Sequence, residues 1–311
     1  MRSAGGQLTK RTQFREEVFA VFSLLIQGIL IGAIYGLIAL GLTLIFGIMR
    51  VINFAHGTLL MVSMFISFMA VTKLGLSPYL TLIVVVPAMF GIGYLINAGL
   101  IQRVLNKESD VREPIGALVL TFGLSVLIEN IFLAIFGPNY HSVKTSFSSE
   151  TLEMGSVIVA MPKLYAFLLA AVVAVLFYLF LHKSELGRII RAVGQSRNTA
   201  LLMGVNVPRV FNIAFGIGLA VLGTAGVALI PFYNVHPSIG SIFGIKAFLT
   251  VLLGGLGSIP GALLGGLLIG VIESLCTLWV PSTLSSVVVL YAFLIFLFIR
   301  PSGLFGSRHD H

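Results

Sequence analysis

The first candidates for chemistry are charged and strongly polar residues inside or at the ends of long apolar runs: Glu129, Lys246 and Glu273, with Asn53 and His56 in a short polar interruption. An ionisable group at membrane depth is costly unless it faces a bundle interior or a water-filled cavity. Glu129 and Glu273 could therefore serve a proton relay or line a translocation path, or they could hold helices together by interhelical hydrogen bonds. Lys246 has the same two options and a third, snorkelling its ammonium to the interface. Asn53 and His56 belong to the segment Arg50-Val51-Ile52-Asn53-Phe54-Ala55-His56-Gly57. Irregular polar backbone within a hydrophobic region is tolerated where protein or a cavity satisfies it. Asn53, His56 and Gly57 are thus candidates for a gate or path lining, and the alternative is an ordinary turn that caps the following helix.

A second interruption reads Leu253-Gly254-Gly255-Leu256-Gly257-Ser258-Ile259-Pro260-Gly261. A discontinuous helix here would expose backbone donors and acceptors for a polar site or gate, and the competing reading is a tight interhelical turn. Gly254, Gly255, Gly257 and Gly261 are the gate candidates. Glycines also recur every four residues at Gly28, Gly32 and Gly36 and at Gly257, Gly261 and Gly265. That spacing places each set on one helix face, a flat groove for packing within this chain or against a second membrane subunit.

Several chemistries lack their residues. There is no Gly-x4-Gly-Lys-[Ser/Thr] phosphate loop, no Ser-His-Asp grouping and no paired carboxylates in a plausible soluble site. Cys276 is the lone cysteine, so an internal disulfide and a cysteine metal site are both excluded. The histidines His56, His141, His182, His236, His309 and His311 form no His-x3-His or His-Glu-x2-His pair, and His309 and His311 read as a tail. The reading is of a chain that is not an enzyme and carries no cofactor or metal.

The elements that must position these residues follow from composition. The 311 residues are 58% hydrophobic and 10% charged, with a mean hydropathy of +1.06. A soluble domain carries roughly 25% charged residues, so this chain lacks the polar surface to cover a water-facing globule. The formal charge of +8 sits between apolar runs rather than in a basic stripe interleaved with aromatics, which argues against nucleic acid. Stretches free of Asp, Glu, Lys and Arg run 18–49, 51–72, 74–102, 164–181, 210–245, 247–272 and 274–299, while 114–140 holds only Glu129. With about 20 apolar residues needed per crossing, the expectation is an all-α polytopic membrane bundle of about eight helices. Their spans are 18–47, 57–73, 79–102, 114–137, 163–182, 210–230, 260–279 and 283–300, with a broken or half-helix near 244–260 (apolar part 244–256). Pro231 and the Tyr233–Pro237 segment end the sixth of these. A polar tail, 1–17, precedes the transmembrane domain 18–300, and 301–311 forms a second tail. The run after residue 17 is too long for a signal h-region and reads as a retained helix.

Connections 103–113 and 183–209 are rich in Lys and Arg, whereas 138–162 has Lys144 alone. The positive-inside bias puts the first two in the cytoplasm and the third outside. Alternation then places the N-terminus outside, although its own four basic residues prefer the inside. If 244–256 crosses, the end carrying Arg300 and Arg308 is cytoplasmic. Within 183–209, bases interleave with apolar residues at helical spacing. Such a short amphipathic helix suits a groove in a soluble partner or the lipid headgroups.

These segments together resemble the permeases of branched-chain amino-acid ABC transporters, close to the LivH subtype. The matching residues are Ile34-Tyr35-Gly36-Leu37-Ile38-Ala39-Leu40-Gly41, Ile52-Asn53-Phe54-Ala55-His56-Gly57, Leu186-Gly187-Arg188 with Arg191-Ala192, and Lys246-Ala247-Phe248 through Gly266, in matching order over about 20–305. The resemblance implies an importer subunit of the bacterial inner membrane, moving an amino acid by alternating access. Its implied partners are a second homologous permease, two cytoplasmic ATPase subunits and an extracytoplasmic substrate-binding protein. It marks Gly187, Arg188, Arg191, Ala192 and Gly204 as the ATPase-coupling contact. The family often has an acidic residue near Gln195, and this sequence has none at Gln195 or Ser196. Urea and short-amide permeases share the architecture, and an ion-coupled secondary transporter is the other alternative.

Overall fold

The computed structural model describes residues 3–105, 115–143, 150–154, 157–301 and 303–305, with their side chains from residue 19 onward except at 153, 154, 157, 282 and 283. The charges expected at Lys107, Arg112, Lys144 and Arg308, and His309 and His311, lie outside the described residues. Among those described, the chain is almost wholly helical. Helix α1 spans Ser3–Met49, α2 His56–Leu74, α3 Leu82–Ile96, α4 Gln102–Leu105, α5 Ile115–Phe136 and α6 Met161–Lys183. They are followed by α7 Glu185–Gln195, α8 Arg197–Leu202, α9 Val207–Leu229, α10 Ile239–Gly254, α11 Ile259–Cys276 and α12 Ser282–Ile299. A short antiparallel hairpin, β1 Thr151–Met154 with β2 Val157–Ala160, lies between α5 and α6.

Seven helical stretches are long and apolar enough to cross a bilayer: Phe19–Met49, His56–Leu74, Pro78–Leu105, Ile115–Phe136, Met161–Lys183, Val207–Leu229 and Ile259–Cys276. Ile239–Gly254 and Leu284–Ile299 are apolar but shorter. The chain is therefore a multi-pass membrane protein, and the expected spans agree with these to within a few residues. The exception is α1, whose helix begins at Ser3 rather than near residue 18. The third crossing is continuous from a tight 3₁₀ turn at Pro78–Thr81, through α3 and a π-type turn at Asn97–Ile101, to α4.

The connections gather on two faces. On one, the 137–143 segment pairs with the α9–α10 connection, where His141 and Val235 exchange backbone hydrogen bonds of 2.8 and 2.7 Å. The Tyr79 hydroxyl at the α2–α3 connection donates to the Pro162 carbonyl on the same face. On the other, the end of α1, α7, the α10–α11 turn and Pro301 line one cleft. Gln102 and Leu105 meet Ser196, Arg197 and Phe211 there as well. Helix α10 runs from the first face to the second. At 16 residues it is about 24 Å long, an apolar helix shorter than the seven candidate crossings.

Helix α1 is the hub, packing on α11, α9, α6 and α10, and its middle is fully buried from Ile34 to Ile45. Its glycine face explains this closeness. A Cβ at Gly28 would fall 2.7 Å from the Val271 Cα, and one at Gly32 2.8 Å from the Gly266 carbonyl oxygen. Gly28, Gly32 and Gly36 thus pack inside the chain, against Gly266 and Gly270 of α11. The second expected glycine face divides. Gly261 and Gly265 face α10 instead, and Gly257 lies in a turn outside any helix.

Candidate functional site

The turn between α1 and α2 is buried. Asn53 Oδ1 accepts from the Ala55 amide at 3.1 Å, and the Asn53 carbonyl accepts from the His56 amide at 3.2 Å. This is an Asx turn ahead of α2, whose N-cap residue Ala55 makes no side-chain cap, so the segment is an ordinary turn without a side-chain cap. His56 Nε2 donates to the Ile38 carbonyl of α1 at 3.0 Å, since a carbonyl can only accept. Asn53 and His56 are 0% exposed, and Asn53 Nδ2 and His56 Nδ1 have no protein partner. The open-facing members of the segment are Arg50, Ile52 and Phe54. The Phe54 amide bonds Thr121 Oγ1 of α5 at 3.2 Å, and its ring lies against Phe122 and Phe248. Gly57 lets α2 touch α10: a Cβ there would overlap the Gly240 carbonyl.

The 253–261 interruption is a tight turn, not a break inside one helix. Gly255 (φ 99°) and Gly257 (φ 82°) adopt left-handed backbone that favours glycine. Ser258 then caps α11 by accepting from the Gly261 amide at 3.2 Å. Gly254 and Gly261 are buried on each other, with no room for a Cβ on either. Gly257 instead opens onto a cleft of about 740 Å³ shared with Thr43, Gly47, Arg50, Arg191, Gly194 and Gln195.

The polar residues expected within apolar runs separate. Lys246 and Glu273, on α10 and α11, form an ion pair of 2.6 Å with side chains only 11% and 17% exposed. The Tyr35 hydroxyl of α1 sits between them, accepting from Lys246 Nζ at 2.8 Å and donating to Glu273 Oε2 at 2.9 Å. Ser286 of α12 donates to Glu273 Oε1 at 3.3 Å, and Lys246 Nζ lies 4.7 Å from the Tyr35 ring centroid. Lys246 therefore does not snorkel; its charge is met inside the bundle, and four helices converge on one carboxylate. Glu129 is elsewhere, half-buried on α5 near His236. Burial lowers the His236 imidazole below its ordinary range, and the Glu129 carboxylate partly offsets this.

The 183–209 connection folds into α7 and α8. Ser184 caps α7 by accepting from the Gly187 amide at 2.9 Å, and Ser196 caps α8 through the Thr199 amide at 3.3 Å. Arg188, Arg191 and Ala192 are exposed, while Ile190 and Val193 are buried. Gly187 is buried against the backbone of Phe180 and Leu181, making the sharp α6–α7 elbow possible. A Cβ at Gly194 would stand 3.1 Å from the Gly47 carbonyl oxygen, so α7 lies directly on the end of α1. Gly204 is exposed with φ 78° and ends α8. Beside it Leu202 and Met203 project at 88% and 80% exposure; Met203 falls within the helical spacing read in the 183–209 loop, whereas sequence reasoning passed over Leu202. It also missed the Asn97–Asn212 hydrogen bond of 2.7 Å between the α3 crossing and α9.

Comparison with known proteins agrees with this architecture. A profile described as branched-chain amino acid transport system / permease component matches residues 24–298. The chain is 32% identical over 289 residues to the high-affinity branched-chain amino acid transport system permease protein LivH of Salmonella typhimurium, covering 90% of this chain and 94% of that one. It is 30% identical over 298 residues to the corresponding protein BraD of Pseudomonas aeruginosa, covering 93% and 97%. More distantly, it is 26% identical over 213 residues to the autoinducer 2 import system permease protein LsrD of Photorhabdus temperata, covering 65% and 63%. No solved structure matches. With the profile spanning most of its length and the bundle of apolar helices in place, the chain belongs to the family of permease components of branched-chain amino acid transport systems.

Proposed function

We propose that this protein is the translocation subunit of an ABC importer of the bacterial inner membrane and that it carries branched-chain amino acids inward by alternating access. The observation that carries the reading is the near full-length relationship to LivH and BraD, which covers both the bundle and the α7–α8 element. In this reading ATP is bound and hydrolysed on two cytoplasmic partner subunits, a second homologous permease completes the membrane unit, and an extracytoplasmic binding protein delivers the substrate.

The face bearing Arg50, Arg103, Lys183, Arg188, Arg191, Arg197, Arg209 and Arg300 is then cytoplasmic, in keeping with the positive-inside bias. The opposite face, with Lys73 and Lys163, meets the binding protein. Helices α7 and α8 form the ATPase contact through Arg188, Arg191 and Ala192, joined by Leu202 and Met203. Gly187 supplies the elbow and Gly204 the stop. Motion of α7 passes to the end of α1 through the Gly194–Gly47 contact and, across the cleft, to the Gly254–Gly261 turn. The buried Asn53–Gly57 turn joins α1 to α2 and bears on α10, so these two interruptions act as the gate elements. Glu129 and Glu273 are the acidic candidates along the path.

The test is substrate uptake in cells lacking this gene. Loss of ATP-dependent leucine, isoleucine and valine uptake, restored by the gene in trans, is the expected result. Unchanged uptake of all three, or loss of urea uptake alone, contradicts the substrate assignment.

A further inference from the structure

We propose that Lys246 and Glu273, bridged by Tyr35, are the residues that receive the charged head of the substrate during translocation, Glu273 taking the ammonium and Lys246 the carboxylate. This rests on the importer reading above, because it takes the cargo to be an amino-acid zwitterion.

The first support is chemical. An α-amino acid carries a positive and a negative group on a single carbon, and neither can cross a low-dielectric interior without a counter-charge. The ion pair presents both counter-charges side by side, 2.6 Å apart. When a zwitterion inserts between them, each protein charge exchanges one opposite partner for another, and no charge is left uncompensated. The Tyr35 hydroxyl, which now accepts from Lys246 and donates to Glu273, can do the same toward the carboxylate and ammonium of the cargo.

The second support is position. Glu273 lies within one turn of the end of α11 and Lys246 midway along α10. Glu273 lies toward the face opposite α7, and Tyr35 and Tyr233 of the α9–α10 connection both pack against the Phe243 ring. The pair is not sealed, since both side chains keep some exposure. Lys246 also lies close to the flat contact between α10 and α2. Gly240 and Gly244 of α10 rest on Gly57 with no side chain between the backbones, and Lys246 follows Gly244 by two residues. Displacement of α10 along this flat contact would part the ammonium from Glu273. The third support is energetic. Helices can be held together equally well by apolar side chains of similar volume, so a pair serving only as a staple gains nothing from being charged.

The test uses the complete transporter, reconstituted in proteoliposomes with its ATPases, second permease and binding protein, and reads leucine moved per ATP hydrolysed together with thermal stability. The double variant Lys246→Met/Glu273→Gln removes both charges at similar volume. The expected result is a Tm near that of the parent protein with leucine per ATP reduced at least tenfold. The reversed pair, Lys246→Glu/Glu273→Lys, is expected to stay equally impaired, because the orientation of the two charges is fixed by their helices. Parental leucine per ATP in either double variant overturns the proposal and leaves a staple. Should neither assemble, Tyr35→Phe decides: a fall of fivefold or more supports the proposal, and an unchanged ratio overturns it. If the unsubstituted transporter itself fails to move leucine, the importer reading fails instead.

Discussion

Gly57 of α2 and Gly240 of α10 are in backbone contact: a Cβ on Gly240 would stand 2.7 Å from the Gly57 carbonyl oxygen, and one on Gly57 would overlap the Gly240 carbonyl. Without a hydrophobic force between helices in lipid, such closeness is how they adhere. Gly57→Ala must push α10 outward, and overpacking of this kind costs about 1–3 kcal/mol. The expected outcome is a lower Tm in detergent and reduced uptake, with Gly240→Ala similar. A Gly57→Ala protein with parental Tm and uptake would show that the contact is slack.

The Lys246–Glu273 pair makes a stability prediction independent of its proposed role in transport. Removing one partner leaves the other charge uncompensated within the bundle, at a cost of about 3–5 kcal/mol. Lys246→Met and Glu273→Gln should each lower Tm clearly, and the double variant should recover most of the loss. A loss in the double variant equal to the sum of the two single losses would mean that the two residues are not coupled in the folded state.

On the basic face, Arg191 is exposed while Gly194 of the same helix rests on Gly47 at the end of α1. Reversing its charge with Arg191→Glu should reduce ATP-driven uptake on the order of tenfold, as expected when a complementary contact becomes repulsive, while binding-protein affinity is unchanged. Leu202→Asp should act in the same direction. Full uptake in both would remove α7 and α8 from the coupling contact.

At the opposite face, His236 is pushed below its ordinary pKa of 6.5, chiefly by burial, with Glu129 pulling the other way. The folded protein therefore binds its proton less readily than the unfolded chain does. This contribution to stability is present above pH about 6.5 and is lost as pH falls. Glu129→Gln removes the offset, so the His236 NMR titration midpoint should move lower still. A midpoint that rises, or does not move, would show that the two groups do not interact.

The spans were legible because a lipid-facing helix needs only a charge-free run, and that signal is local. The Gly28, Gly32 and Gly36 face was legible for the same reason, since four-residue spacing determines which side of a helix is flat. Its partner was not: Gly266 and Gly270 meet it, whereas Gly261 and Gly265 turn toward α10, and nothing in a spacing names the neighbouring helix. The 253–261 segment left a broken helix and a tight turn equally open, because glycine permits both and only Gly255 and Gly257 in left-handed backbone decide. Lys246 and Glu273 each stood out as charges in apolar runs, but their pairing across two helices did not. Tyr35, in the middle of a greasy stretch, looked like any packing aromatic. Asn53 and His56 were conspicuous as polar residues, yet their side chains turn inward and Phe54 takes the open side.

The energy source of uptake separates an ABC importer subunit from an ion-coupled transporter. The purified chain, reconstituted in proteoliposomes with its partner permease, ATPases and binding protein, should accumulate leucine only when ATP is supplied on the side of α7, and a protonophore should leave the rate unchanged. Leucine accumulation that continues without ATP and collapses with the protonophore would contradict the importer reading.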